Sequence, residues 1–306
     1  MKVSDLTLSQ VGARLRQGDL ILGIPSFATR VRSPIDAVAR GIAQLYGDFS
    51  VLDPREFADF HVALAPPAGL RRWIRPQVMF YLDGFAPFKP LPFEQAYPMF
   101  EWGLNWCIAS HAHSFLVVHA AVVERGGRAL VLPAPPGSGK STLCAGLVSR
   151  GWRLLSDELC LLDLQSGLIR PLARPLNLKN RSIDVIGRFQ PGAVMTAPVR
   201  DTAKGTVALV KPPADSVSRA GEPALPAWIV FPKYVAGAAG TLAPLGKAPT
   251  LMRLIEQAFN YDILGARGFE AAAGLVDRCG CLEFSYGDLD EAVAIFASLA
   301  DRAGAT

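Results

Sequence analysis

Apolar and polar positions change period several times along the chain, and each change marks a predicted element. Ile35, Val38, Ala39, Ile42 and Leu45 recur at helical spacing. Ser33 and Pro34 precede them as N-cap and first helical residue, which predicts a helix from there to Gly47. "DFHVAL" and "VMFYLDG" read as strands, separated by Pro66-Pro67 and closed by Asp83-Gly84. The proline-rich "APFKPLPFEQAYP" reads as a linker or a rigid surface crossing. Helical spacing returns from Met99 to about His111, with Phe100, Leu104, Cys107 and Ile108 on one face. Two strands follow, "SFLVVHAAVV" and "RALVLPA", around a turn at Arg125-Gly126-Gly127.

A helix is predicted from Thr142 to Arg150-Gly151, glycine being common just past a helix end. "WRLLSDELCLLDL" reads as one long or bent strand, turned at Gln165-Ser166-Gly167. The stretch from Pro171 to Pro226 is polar, poorly periodic and rich in Pro, Gly and basic residues, as substrate-facing loops would be. Beyond it helix and strand alternate, and the last helix has Asp288 as N-cap with Glu291 three residues on, a reciprocal capping arrangement. The pattern predicts an α/β chain, with an N-terminal α/β region over residues 1–98 and a second domain over 99–306.

Composition narrows the function classes. Half of the 306 residues are hydrophobic and 19% are charged, as a globular chain with a real core requires. The net charge of +4 is spread out, and its densest clusters are pairs such as Arg71-Arg72. That argues against a nucleic-acid partner and suits an anionic ligand. The five cysteines form no secretory framework, so a reducing compartment is expected. Cys279-Gly280-Cys281 can be read as a metal or redox pair, or as small residues entering a strand. "MKVSDLTLSQ" has no apolar signal region and "FLVVHAAVV" is too short to span a bilayer, so no membrane span and a cytoplasmic location are expected.

The chemistry concentrates in "PAPPGSGKST", Pro133 to Thr142, between a predicted strand and a predicted helix. In the frame G-x-x-x-x-G-K-[ST] the chain reads Ala134-Pro135-Pro136-Gly137-Ser138-Gly139-Lys140-Ser141, with Ala in place of the first Gly. Gly137 and Gly139 let the backbone turn so that N–H groups from Pro136–Thr142 converge on phosphates. Lys140 reaches the β- and γ-phosphates, Ser141 offers its hydroxyl to Mg²⁺, and the helix adds its positive end. ATP and Mg²⁺ are the cofactors this loop implies.

The second half of the site must decide the reaction. Asp157-Glu158 arrive 17 and 18 residues after Lys140, on the next strand, and no guanine-reading Asn-Lys-x-Asp is present. In a regular strand Leu155, Asp157 and Leu159 share one face and Ser156, Glu158 and Cys160 the other, so both acids meet at one point only if the strand bends or ends there. Asp157 is the candidate carboxylate beside the γ-phosphate, placed to accept the proton of an attacking hydroxyl, and Glu158 can reach Mg²⁺ through water. Positive charge beyond the γ-phosphate can come from Lys179 or Lys204, with Arg181 and Arg200 behind them. His111 and His113 read as surface residues at a helix end. His119 lies in an apolar strand with Val117, Ala121 and Val123 on its face.

"HAAVVERGGRALVLPAPPGSGKSTLCAGLVSRGWRLLSDEL" resembles the catalytic core of the HPr serine kinase/phosphorylases: a His before the loop, the Gly-x-Gly-Lys-Ser loop, then an Arg-Gly-x-Arg-Leu run into two acids. Over most of the chain, "RGWRLLSDE", "LNLKN", "IDVIG", "KGTVAL" and "EWGLNWCIASHAH" resemble the HPr-kinase-related kinase A group. The loop-plus-acid layout is also similar to that of phosphoenolpyruvate carboxykinases. The resemblance implies a P-loop-containing α/β core with a mixed sheet, and a kinase acting on a serine of a small protein or peptide, or on a small hydroxylated metabolite. It also gives His119, 21 residues before Lys140, a place in the catalytic set, hydrogen-bonded to Asp157 or to the transferred phosphoryl. Glu158 in place of Asp, Ala134, and the lack of an Arg-Gly-Leu-Gly phosphorolysis signature are departures from the HPr kinases. They leave open the acceptor, a reverse reaction, and a regulatory nucleotide-binding role.

Overall fold

Thr7 accepts a hydrogen bond from the Gln10 amide while the Gln10 side chain accepts one from Thr7 N–H, and this cap starts α1 (Leu8–Gln17). In the computed structural model, which describes residues 1–24, 26–69 and 74–304, α1 is followed by β1 (Leu20–Ile24), β2 (Phe27–Arg32) and α2 (Asp36–Leu45). Then come β3 (Ser50–Val51), β4 (Phe60–Ala65), β5 (Gln77–Leu82), β6 (Leu91–Pro92) and α3 (Ala96–His111). The strands form one sheet in the order β3-β1-β2-β4-β5-β6. Val11, Leu15, Val38, Ile42, Phe100 and Leu104 from the three helices bury against Leu20, Val31, Val62 and Phe80 of the sheet. The Arg71-Arg72 pair lies outside the described residues.

The remainder runs β7 (Phe115–Arg125), β8 (Arg128–Pro133), α4 (Lys140–Ser149), β9 (Arg153–Ser156), β10 (Leu159–Asp163) and β11 (Ile169–Arg170). Next are β12 (Leu176–Lys179), α5 (Arg181–Phe189), β13 (Val199–Thr202), β14 (Gly205–Val210), α6 (Ala214–Ser218), β15 (Leu225–Tyr234) and β16 (Thr241–Pro244). The chain ends with α7 (Lys247–Ile255), α8 (Tyr261–Leu264), α9 (Ala266–Arg278), β17 (Gly280–Tyr286) and α10 (Leu289–Gly304). The central sheet has the order β11-β10-β7-β8-β15-β17-β16, with β9 also on β7. β8, β15 and β17 run parallel and the other pairs antiparallel, so the sheet is mixed and the class α/β, as the pattern predicted. One face buries Val123, Leu132, Val230 and Phe284 under α4, α5 and α10; the other buries Val122, Val131, Ile229 and Phe231 under α7 to α9. A separate sheet, β12-β14-β13, stands beside the first face.

Several local expectations are corrected. Ser33 Oγ accepts the Ile35 N–H at 3.1 Å, a turn that keeps Pro34 and Ile35 extended, so α2 starts at Asp36 rather than at Pro34. The proline-rich stretch is no linker: it contains β6 and a 3-10 turn, Phe93–Gln95, that leads straight into α3. Residues 171–226 hold a small antiparallel sheet, whose strands of four to six residues are too short for a period of two to stand out. Asp288 does cap α10 through the Glu291 N–H at 2.8 Å, but the Glu291 carboxylate goes to Gly240 N–H, so the cap is not reciprocal.

A buried ion pair ties the N-terminal sheet to the segment that enters β12. Arg174 Nη2 donates to Glu101 Oε2 at 2.6 Å, and the Tyr46 and Tyr97 hydroxyls also donate to Glu101. Asn105 takes a further guanidinium hydrogen bond at 2.7 Å. Every charge is compensated, which is the condition under which burial of an ion pair is tolerated.

Candidate functional site

The loop after β8 lies at the carboxyl ends of the parallel strands β8, β15 and β17, where open α/β sheets place their ligands. Gly137 and Gly139 sit at φ +89 and +90. Pro136 and Gly137 are exposed, Ser138 and Gly139 half-buried, and Lys140 buried. α4 begins at Lys140, two residues before the expected start, with Gly139 as N-cap, so the N–H groups of Lys140, Ser141 and Thr142 belong to its unpaired first turn. Tyr234 N–H donates to Ser138 O and the Tyr286 hydroxyl to Gly139 O, each at 2.9 Å, so the ends of β15 and β17 brace the loop from below. Ala134 is buried at the strand exit and needs no unusual backbone angle.

Gly139 is the tighter of the two turns. A Cβ there would lie 2.5 Å from Tyr286 Oη and 2.9 Å from Tyr234 Cβ, whereas one on Gly137 would meet nothing within 4 Å. Gly139→Ala is therefore expected to cost at least about 2 kcal/mol, and Gly137→Ala about 1 kcal/mol from its backbone angle alone. Urea denaturation of the two variants checks the order; equal losses would mean that the tyrosine brace does not constrain the loop.

The expected single strand through the acids is interrupted. β9 and β10 both pair with β7, and the register shifts between Val122 and Val123. Leu155 enters the core under α7 to α9, while Leu159 enters the core of the N-terminal sheet. β9 ends at Ser156, whose Oγ accepts the Glu158 and Leu159 N–H groups, so the acids lie in a bend between β9 and β10. The alternation is broken, Leu155 and Leu159 do not share a face, and Asp157 and Glu158 both come close enough to act on the Lys140 ammonium.

Their surroundings differ. Asp157 is 3% exposed; its Oδ2 accepts Asn177 N–H at 2.9 Å and its Oδ1 has no partner among the described residues. Burial, and then the charge of Glu158, push its carboxyl up to about 6, against the Asn177 N–H, Lys140 and the Ser141 hydroxyl, which favour the ionised form. Burial also works against the Glu158 charge, but His119, Lys140, Lys179 and Lys204 together hold that carboxyl down at about 2. His119 Nε2 lies 3.5 Å from Glu158 Oε2, and its ring leans on Phe259, with centroids 5.9 Å apart. His119 therefore partners Glu158, not Asp157: it stands opposite Leu159 across the β7–β10 pairing, next to the glutamate.

Lys179 Nζ lies 4.0 Å from Glu158 Oε1. Lys204 comes from the β13–β14 turn, its ammonium 4.9 Å from the centre of the Trp102 ring. Asn180, at φ +51, joins the two lysine-bearing segments by exchanging hydrogen bonds with Thr206: its N–H donates to Thr206 O, and its Oδ1 accepts the Thr206 N–H. Arg181 is exposed at the start of α5 and Arg200 is exposed on β13; neither forms an ion pair among the described residues. His111 is capped onto Cys107 O, and Cys279 and Cys281 are buried free thiols, Cys281 inside β17.

Around this centre, buried polar groups without a partner among the described residues include Ser138 Oγ, Lys140 Nζ, Asp157 Oδ1 and both polar atoms of the Asn177 carboxamide. Burial pushes the Lys140 ammonium below its ordinary value, opposed by Glu158 and Asp157. Donors and acceptors left open at the mouth of a loop of this shape fit an anionic phosphate chain with a hard cation. Among the described residues no group of three or more His, Cys, Asp or Glu could hold a metal by itself. Magnesium bound with a nucleotide needs only one or two protein oxygens, and Ser141, Asp157 and Glu158 are the residues that could supply them. Asn177, Asn180, Tyr234 and Tyr286 were not legible in the sequence as site residues; the one signal was a polar Asn between two leucines in "LNLK". No family model and no curated protein matches the chain.

Proposed function

We propose that the protein is an ATP- and Mg²⁺-dependent kinase of the HPr-kinase-like type, moving the γ-phosphoryl group to a hydroxyl acceptor. The observation that carries the reading is the convergence of Lys140, Ser141, Asp157 and Glu158, from two separate chain segments, at the first turn of α4, whose N–H groups have no partner within the helix. Bound Mg–ATP supplies the transferable phosphoryl group. Lys140 and the first turn of α4 hold the phosphate oxygens, and Ser141 and Glu158 are placed to face the cation, Glu158 through water. Asp157, with a carboxyl near 6, is matched to taking a proton from an alcohol at neutral pH, its Oδ1 free to do so. Glu158 stays ionised there and is too weak a base for that task. Lys179 and Lys204 stand where charge grows on the transferring group.

The test is incubation with γ-labelled ATP, Mg²⁺ and host extract, followed by identification of the labelled species. A labelled protein, peptide or hydroxylated metabolite is the expected result. ATP bound without any labelled product would point to a regulatory nucleotide-binding module and remove the kinase reading.

A further inference from the structure

Asn177 is 3% exposed, and neither its carboxamide oxygen nor its carboxamide nitrogen has a partner among the described residues. It sits in β12 between Leu176 and Leu178, which both enter the core under α4. Side chains alternate along a strand, so Asn177 and Lys179 share the opposite face. From that face Lys179 reaches to 4.0 Å from Glu158, and the main-chain N–H of Asn177 holds Asp157 Oδ2 at 2.9 Å. A buried, doubly unpaired carboxamide is costly, and a third leucine in this strand would carry no such cost. Through its main-chain N–H the residue already touches Asp157, whose Oδ1 is likewise without a partner among the described residues.

We propose that Asn177 is a further residue of the nucleotide site, its carboxamide oxygen taking a place in the hydrated shell of the magnesium ion that accompanies the triphosphate. Amide oxygens are hard ligands of the kind that cation accepts, and Asn177 supplies one without adding charge next to the Asp157–Glu158 pair. The inference rests on the nucleotide reading above and adds a contact to its metal side.

The test is calorimetric titration of wild type, Asn177→Leu and Asn177→Ala with ATP in Mg²⁺ and with ATP in EDTA, together with melting of the free proteins. Affinity for ATP in Mg²⁺ is expected to fall about tenfold in both variants, while affinity in EDTA stays within about twofold. Free Asn177→Leu is expected to melt no lower than wild type; should it fail to fold, Asn177→Ala carries the same comparison. Equal affinities of wild type and variant in Mg²⁺, or an equal fall with and without Mg²⁺, would overturn the proposal, the latter because it marks a structural role. Wild type that fails to bind ATP in Mg²⁺ would remove the nucleotide reading as well, whereas wild-type binding with unaffected variants removes this inference alone.

Discussion

Asp157→Asn is expected to lower phosphoryl transfer by about 10²–10⁴-fold, the usual contribution of a positioned general base, while nucleotide binding largely persists. Steady-state kinetics beside calorimetric binding separates the two. Near wild-type turnover would take Asp157 out of the mechanism. The pH profile should carry the same signature. The carboxyl is held up at about 6, so kcat/KM of the wild type should rise with pH through that value and level off above it. Glu158→Gln removes the second cause of that elevation and should move the limb to lower pH.

The same carboxylate weakens the free protein. Between the ordinary carboxyl value of 3.8 and about 6 the folded state keeps a proton that the unfolded chain has released. Stability therefore falls as pH rises through that window, and the full cost stands above it. Two units correspond to as much as about 3 kcal/mol, and asparagine avoids it while still accepting the Asn177 N–H. Free Asp157→Asn should therefore melt a few degrees above wild type at pH 7.5, a difference that shrinks toward pH 4. A variant that melts lower at neutral pH would show that Asp157 is held in place for structure.

Lys140→Met is expected to act on the step before chemistry. Lys140 is 6% exposed, its ammonium is buried near both acids with no hydrogen-bond partner among the described residues, and an apolar side chain of similar length fills the space without a charge to satisfy. Loss of a buried cation from its anionic partner costs about 2–5 kcal/mol. ATP affinity should thus fall by about thirty- to several-thousandfold, with transfer lost alongside it, while circular dichroism shows the fold retained. Unchanged ATP affinity in a folded Lys140→Met would mean that the phosphates do not lie in this loop. Together the two variants separate holding from transfer: one loses both, the other only the second.

The loop itself was readable because its chemistry is local. Gly137 and Gly139 adopt positive φ, Lys140 and Ser141 open a helix, and β8 precedes them, all within about ten consecutive residues. Alternation likewise marked β4 and β5, and helical spacing marked α3, since each turns one side to one core, whereas β7 and β8 showed as continuous apolar runs because both their faces are buried. What alternation could not reveal is a break in itself. The bulge and the bend that follows it leave no mark in "LLSDEL", yet Leu159 lies in a different core from Leu155 and the two adjacent acids lie together in the bend between β9 and β10.

The partners of those acids were equally out of reach. Glu158 meets His119, 39 positions earlier in the chain, and Lys179, 21 later; Asp157 is held by the main chain of Asn177. Main-chain donors carry no residue signature, and the pairing of β7 with β10 and the placement of β12 depend on how distant segments share a core. By itself, then, the order of residues determined an α/β chain carrying a glycine loop with a lysine and a serine in helical frame. Which carboxylate each histidine and lysine faces, and which acid is driven toward the protonated form, was decided by tertiary structure, because burial and charge proximity are properties of packed surfaces and not of neighbours along a strand.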